Sequence, residues 1–233
     1  MRTITITPSV FHLAPSFMRG IIVVTGMQNT LSDKRVKKPL SAVIETLLGQ
    51  NKETDHRCTA WDEIHRAFGS NPEEFKPSIK SLLQRVEKGG GLPFINTAVG
   101  ITNYISLKHL LSCGAEDITK VKGNLRVDVA TGKETSILIG SETPESPQVG
   151  EVIYVADDNN VLCRRMNWRT CEVGKITQST TQMVVNVDAL HPTSKQEVIE
   201  ARDELAELLK KHVGATLQVD FLDLQNPHTS INI

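Results

Sequence analysis

A chain of 233 residues with 26 basic and 27 acidic side chains, net charge −1, exerts no global pull on nucleic acid, so any RNA contact has to come from a local patch. Aromatic residues make up only 4%, too few for a repeated base-stacking platform, and the four cysteines (Cys58, Cys113, Cys163, Cys171) form no C-x-x-C pair, which argues against zinc. The length suffices to bury a substantial core. The apolar runs are too short for a membrane span, and with no signal peptide the cysteines are expected as reduced thiols of a soluble cytoplasmic protein.

Thr3 to Thr7 alternates with period two and stops at Pro8, which predicts a first strand. Gly20 to Met27 is β-branched and continuous and predicts a buried central strand, with Phe11 to Arg19 as a connection. Asn29 to Pro39, with Lys34, Arg35, Lys37 and Lys38, reads as an exposed basic loop before a helix over Leu40–Leu48. A second helix covers Thr59–Phe68, its spacing placing Trp61 in the core. Asn71 and Pro72 read as the start of a third helix, interrupted at Phe75–Pro77 and resumed over Ser78–Lys88, where Gly89-Gly90-Gly91 ends it.

Ile95, Val99, Ile101, Tyr104 and Leu107 predict a further helix. Asn124–Val129 and Glu134–Leu138 read as a hairpin turned at Thr131-Gly132, and Ser141 to Gly150 as a loop. Glu151–Val155 and Val161–Met166 form a strand pair across Asp157-Asp158-Asn159-Asn160. Met183–Val187 is another strand. Thr193-x-x-Gln196 suits a capping box for a long helix closed by Gly214, followed by a last strand, Thr216–Leu222, and a polar tail. No repeat or long linker forces a boundary, so one domain is expected.

The chemistry-bearing stretch is Val161–Arg169, which holds Arg164, Arg165 and Arg169 together with Asn167 and Trp168. As a strand it places Cys163 and Arg165 on one face and Leu162, Arg164 and Met166 on the other, so a guanidinium has to leave the apolar side or find a partner there. Arginine grips carboxylate or phosphate with two parallel hydrogen bonds, and Trp168 offers a flat face for a base. The alternative is internal pairing with carboxylates such as Asp157 or Glu172. No phosphate loop, nucleophile elbow or zinc-protease motif is present, and the seven histidines have no metal-ligand spacing.

Leu92-Pro93-Phe94-Ile95-Asn96-Thr97-Ala98-Val99-Gly100-Ile101-Thr102-Asn103-Tyr104 resembles a signature segment of the B3/4 domain, the editing module of the bacterial phenylalanyl-tRNA synthetase β subunit. Free-standing B3/4 proteins are more similar still, through Ala60-Trp61, Ala67-Phe68-Gly69, Pro77-Ser78-Ile79, Ser106-Leu107, Leu162-Cys163-Arg164-Arg165, Asn167-Trp168-Arg169 and Ile176-Thr177. The likeness runs from about residue 54 to 212, with residues 1–53 expected in the same fold. It implies an α+β fold of the B3/4 type, a layered domain with mixed β-sheets and helices packed on one side.

It further implies a tRNA-binding protein that hydrolyses the ester of a mischarged aminoacyl-tRNA, with no cofactor and no metal. The alternatives are an RNA-binding module without hydrolysis and a pocket for a free amino acid. By carry-over, Asn103 and Glu172 are the candidate catalytic residues. Asn96, Thr102, Ser106, Lys108, Arg164, Arg165, Asn167, Trp168, Arg169 and Lys175 are the candidate binding residues. Two departures stand out. The region where the synthetase carries a pocket histidine is Leu111-Ser112-Cys113-Gly114, and Gly100 replaces an aspartate, so mistyrosylated phenylalanine tRNA is not the expected substrate.

Overall fold

The computed structural model describes residues 1–89 and 91–232. The period-two segment at the start becomes strand β1 (Arg2–Ile6), and the continuous apolar run becomes β2 (Met18–Thr25), nearly all of it buried. The stretch between them is not merely a connection: Pro8 begins a short helix, α1 (Pro8–Leu13), which buries Val10 and Phe11. Proline suits a first helical turn, whose N–H groups have no partner in any case.

The basic loop likewise gives way to helix from Lys34 onward. In α2 (Lys34–Leu47) the Asp33 side chain caps the Arg35 N–H, and Val36, Leu40 and Leu47 are buried along one side. Burial of that stripe outweighs the hydrogen bond that Pro39 cannot make. Helix α3 (His56–Ala67) buries Trp61 edge-on to Phe17, and α4 (Ser78–Glu87) buries Ile79, Leu83 and Val86. No helix starts at Asn71; its side chain instead accepts from Glu73 N in a turn. Of the glycine stop expected after α4, Gly90 lies outside the described residues.

After α5 (Thr97–His109) come β3 (Ser112–Asp117), β4 (Leu125–Val129), β5 (Val152–Ala156), β6 (Val161–Arg164), the two-residue β7 (Arg169–Thr170) and β8 (Gln182–Ala189). Then follow α6 (Lys195–Val213), β9 (Thr216–Leu222) and β10 (His228–Ile231). The expected hairpin after β4 does not form. The Glu134 carboxylate accepts from Thr131 N and Gly132 N and curls the turn onto itself, while β4 pairs with β1 and with the distant β5. The polar tail supplies β10, which pairs with β1. The capping box sits one residue later than expected, on Ser194 and Glu197, because Thr193 is buried before the helix begins.

Two sheets result. A six-stranded sheet runs β10-β1-β4-β5-β6-β7, parallel only between β1 and β4; a four-stranded antiparallel sheet runs β3-β8-β2-β9. The alternation of β2 divides the core. Ile21 and Val23 pack toward the six-stranded sheet with Ile6, Val127 and Tyr154, whereas Ile22 and Val24 pack with Ile101 and Ile105 of α5 and with Val198, Leu205 and Leu209 of α6. The small sheet therefore lies between a layer of helices and the large sheet. Its edge strand β3 and the large sheet's edge strand β7 flank the cleft described next.

Candidate functional site

Helix α5 is apolar on nearly every side and is buried between the small sheet, α2 and α6. Its polar residues divide into those the fold uses and those it leaves free. Asn96 caps the helix, with Oδ1 accepting from Val99 N at 3.0 Å and Nδ2 donating to the Ile176 carbonyl at 3.1 Å. The Thr102 hydroxyl donates to the Ala98 carbonyl, and the Ser106 hydroxyl to the Leu111 carbonyl. Lys108 and His109 both reach Glu204 on α6, at 2.6 and 2.8 Å, and so tie the two helices together. Gly100 lets the Phe94 ring lie against the helix; a Cβ there would collide with it.

Asn103 is different. No hydrogen bond engages its side chain among the described residues, and it faces a cavity of about 270 Å³ between α5 and the edge strand β3. Thr102, Thr170 and Lys175 supply the other polar points of this main cavity, and Val99, Ile139 and Ile176 its aliphatic walls. Ile95, largely exposed, stands on its rim.

The arginine-rich stretch sends its members to three places. Strand β6 stops at Arg164, and Arg165 and Met166 take left-handed backbone angles (φ 47° and 62°), so the expected alternation does not continue. Arg164 is buried in a two-pronged ion pair with Glu151, at 2.6 and 2.8 Å, and also donates to Ser136. Internal pairing thus describes Arg164, but with Glu151 as partner; Asp157 pairs with Arg126 and Glu172 with Lys175. The Arg165 guanidinium lies 3.7 Å from the Phe75 ring centroid, and Phe75 meets Trp168 edge-on at 4.9 Å. Neither Arg164 nor Arg165 lines the main cavity. Glu172 borders a separate pocket with Lys120 and Asn160, so the two candidate catalytic residues do not share a cavity. Lys175 lies between them, its Nζ 2.9 Å from Glu172 Oε1.

Asn167, Trp168 and Arg169 belong to a smaller chamber of about 60 Å³ on the opposite face of β3, which shares Cys113, Gly114 and Thr170 with the main cavity. Asn167 is held on both sides: His65 Nε2–H donates to its Oδ1 at 3.1 Å and its Nδ2 donates to Ser112 Oγ at 2.9 Å. Burial pushes the His65 imidazole down to about 4, which keeps it neutral. Arg169 is exposed at the rim and donates to the Ile139 carbonyl at 3.3 Å.

The chamber also holds two residues that reading the sequence did not single out. Glu116 and Asn186 are both almost fully buried. Burial pushes the Glu116 carboxyl up to about 8, with Arg19 opposing that shift and Asp188 reinforcing it. Behind them Asp188 accepts from Arg19 at 2.7 and 2.8 Å, from the Tyr154 hydroxyl and from Asn186 Nδ2. The available signal was the polar period-two set Ser112, Gly114 and Glu116, which a strand puts on one face. Among the described residues no group of three or more His, Cys, Asp or Glu side chains could hold a metal ion, and no helix is long and apolar enough to cross a membrane.

The model of the B3/4 domain family matches residues 60–223. Comparison with curated proteins gives no match. Among solved structures the chain is similar to an N-terminal fragment of the phenylalanyl-tRNA synthetase β subunit from Pyrococcus horikoshii, at 12% identity and a TM-score of 0.47. That comparison covers 92% of this chain and 49% of the other, so the chain spans about half the length of that fragment.

Proposed function

The chain belongs to the B3/4 domain family, and from that premise we propose that it receives the acceptor end of an aminoacyl-tRNA and hydrolyses the ester of a wrongly attached amino acid. The observation that carries this reading is the free side chain of Asn103, aimed into a cavity whose neighbouring polar groups are largely committed to the fold. An aminoacyl ester is already labile, so a site that fixes the ester and one water supplies much of the needed acceleration without a nucleophile of its own. In this reading the Asn103 amide orients the ester or the water. Lys175, whose ammonium is only partly engaged by Glu172, stabilises charge developing on the carbonyl oxygen or on the terminal phosphate. Trp168 and Arg169 at the neighbouring rim would lie against the nucleotide.

A deacylation panel over mischarged tRNAs tests this, with wild type beside Asn103→Ala. Release of one amino acid well above background, slowed at least tenfold in the variant, is expected. Background rates with every tRNA, against salt-sensitive tRNA binding, would leave the protein a binding module. One feature favours that second reading: Asn103, Thr102, Thr170 and Lys175, polar side chains facing the main cavity, include no carboxylate or imidazole to act as general base.

A further inference from the structure

We propose that Glu116 and Asn186 form a subsite for a primary ammonium group at the inner end of the cleft, taking the charged head of a small amine. Gly114 on β3 is paired in register with Asn186 on β8, and Glu116 follows two residues later on the same face. A Cβ at position 114 would lie 3.0 Å from Asn186 Oδ1 and 3.2 Å from Glu116 Oε1, so both oxygens stand over the same bare Cα. Gly114 is also a wall shared by the main cavity and the chamber. The missing side chain therefore keeps open the space in front of both oxygens.

The donor and acceptor inventory fixes the chemistry. The nearby donors are taken up by Asp188, which receives Arg19, the Tyr154 hydroxyl and Asn186 Nδ2. Directly over Gly114 the uncommitted groups are the acceptor Asn186 Oδ1 and, once ionised, the Glu116 carboxylate, while Trp168 and Arg169 bring donors elsewhere in the lining. Asn186 Oδ1 is buried with no hydrogen-bond partner among the described residues, and no hydrogen bond engages the Glu116 carboxyl there. A ligand for this pair has to bring hydrogens, and an ammonium group brings three and no lone pair.

Charge selects the ammonium over a neutral amide or hydroxyl. The groups facing Glu116 are Arg19 from β2, Asp188 from β8, Tyr154 from β5, Cys163 from β6 and Cys171 just after β7. Arg19 and Asp188 cancel each other as an ion pair. An ionised Glu116 is then a buried charge with no paired partner, Arg169 from β7 being the further charged group of the lining but exposed at the rim, and burial holds the Glu116 proton on up to about pH 8. A cation seated beside it removes that penalty and displaces the proton. At about 60 Å³ the chamber has room for only a few non-hydrogen atoms, so the head is small and any larger body extends toward the main cavity and Arg169.

The test uses the full chain, ethylammonium chloride as probe, and backbone NMR shifts, independently of any tRNA. Saturable shifts at Gly114, Glu116 and Asn186 are expected with ethylammonium. Acetamide and tetramethylammonium, which lack the charge and the N–H groups respectively, should give shifts at least tenfold weaker. Affinity should rise about tenfold per pH unit between pH 6 and 7.5, because the proton on Glu116 competes with the probe. Glu116→Gln should bind at least tenfold more weakly and Gly114→Ala not at all. Acetamide binding as tightly as ethylammonium, or a pH-independent affinity, overturns the proposal, and neither measurement needs a variant to fold. A deacylation failure leaves this result untouched, and the converse holds too.

Discussion

Glu151 receives Arg164 through both carboxylate oxygens, at 2.6 and 2.8 Å, with the two side chains withdrawn from solvent and the Arg165 backbone N–H added at 2.9 Å. One of the three arginines of the Val161–Arg169 stretch is thereby a fastener between β6 and the start of β5. Glu151→Ala leaves the buried guanidinium with only Ser136 and the half-exposed Glu145, 3.5 Å away, and a loss of about 3 kcal/mol in urea unfolding is expected. The double variant Glu151→Leu with Arg164→Met should recover most of it, because it removes both charges together. A single variant within about 0.5 kcal/mol of wild type would show that the pair does not hold the strands.

Asn96 and Asn103 lie seven residues apart on one helix and should separate cleanly. Asn96→Ala removes a helix cap and the bond to Ile176, at an expected cost of about 1–2 kcal/mol. Asn103→Ala breaks no side-chain hydrogen bond among the described residues and should stay within about 0.5 kcal/mol of wild type while impairing tRNA deacylation or binding. Equal destabilisation by the two substitutions would make Asn103 a structural residue.

The pH dependence of stability has two opposing contributors. Glu116 holds its proton up to about 8 in the folded chain, so its contribution is complete below its usual 4.5 and is lost as pH rises toward 8. His65 is pushed down to about 4, so its contribution is complete above its usual 6.5 and is lost as pH falls from 6.5 toward 4. The two nearly cancel between pH 4.5 and 6.5. From pH 6.5 to 8 Glu116 acts alone, and wild type should lose about 2 kcal/mol relative to Glu116→Gln, at about 1.4 kcal/mol per pH unit. Parallel stability curves for the two proteins over that interval would contradict the buried, protonated carboxyl.

What the sequence disclosed follows the range of the interactions concerned. The family, the α+β class and the strands around Val23, Val155 and Val185 are written in local motifs and in period-two or continuous β-branched runs, and were legible. The hairpin after Val129 failed because β4 finds β5 more than twenty residues away while Glu134 satisfies the turn locally. The residues that line the candidate cavities were foreshadowed in the same uneven way. Asn103 and Thr102 came with the motif, but the partner of Arg164 lies 13 residues back at Glu151, and the meeting of Glu116 with Asn186 depends on a register between strands 70 residues apart. No local pattern encodes those meetings.

Helix α6 offers a test of a one-residue difference in register. The pattern Thr193-x-x-Gln196 and the neighbouring Ser194-x-x-Glu197 both suit a capping box, and the structure uses the second: Ser194 Oγ accepts from Glu197 N at 3.2 Å, and Glu197 Oε2 accepts from Ser194 N at 2.8 Å. The carboxylate is the better acceptor and also complements the positive end of the helix, which the Gln196 amide cannot do. Ser194→Ala and Glu197→Ala should therefore each lower stability by about 1 kcal/mol in urea unfolding, while Gln196→Ala stays within about 0.5 kcal/mol. The Glu197 effect should shrink in acid, because Ser194 holds its carboxyl below the usual carboxylate range and protonation removes the acceptor. An equal loss from Gln196→Ala and Glu197→Ala would place the cap one residue earlier.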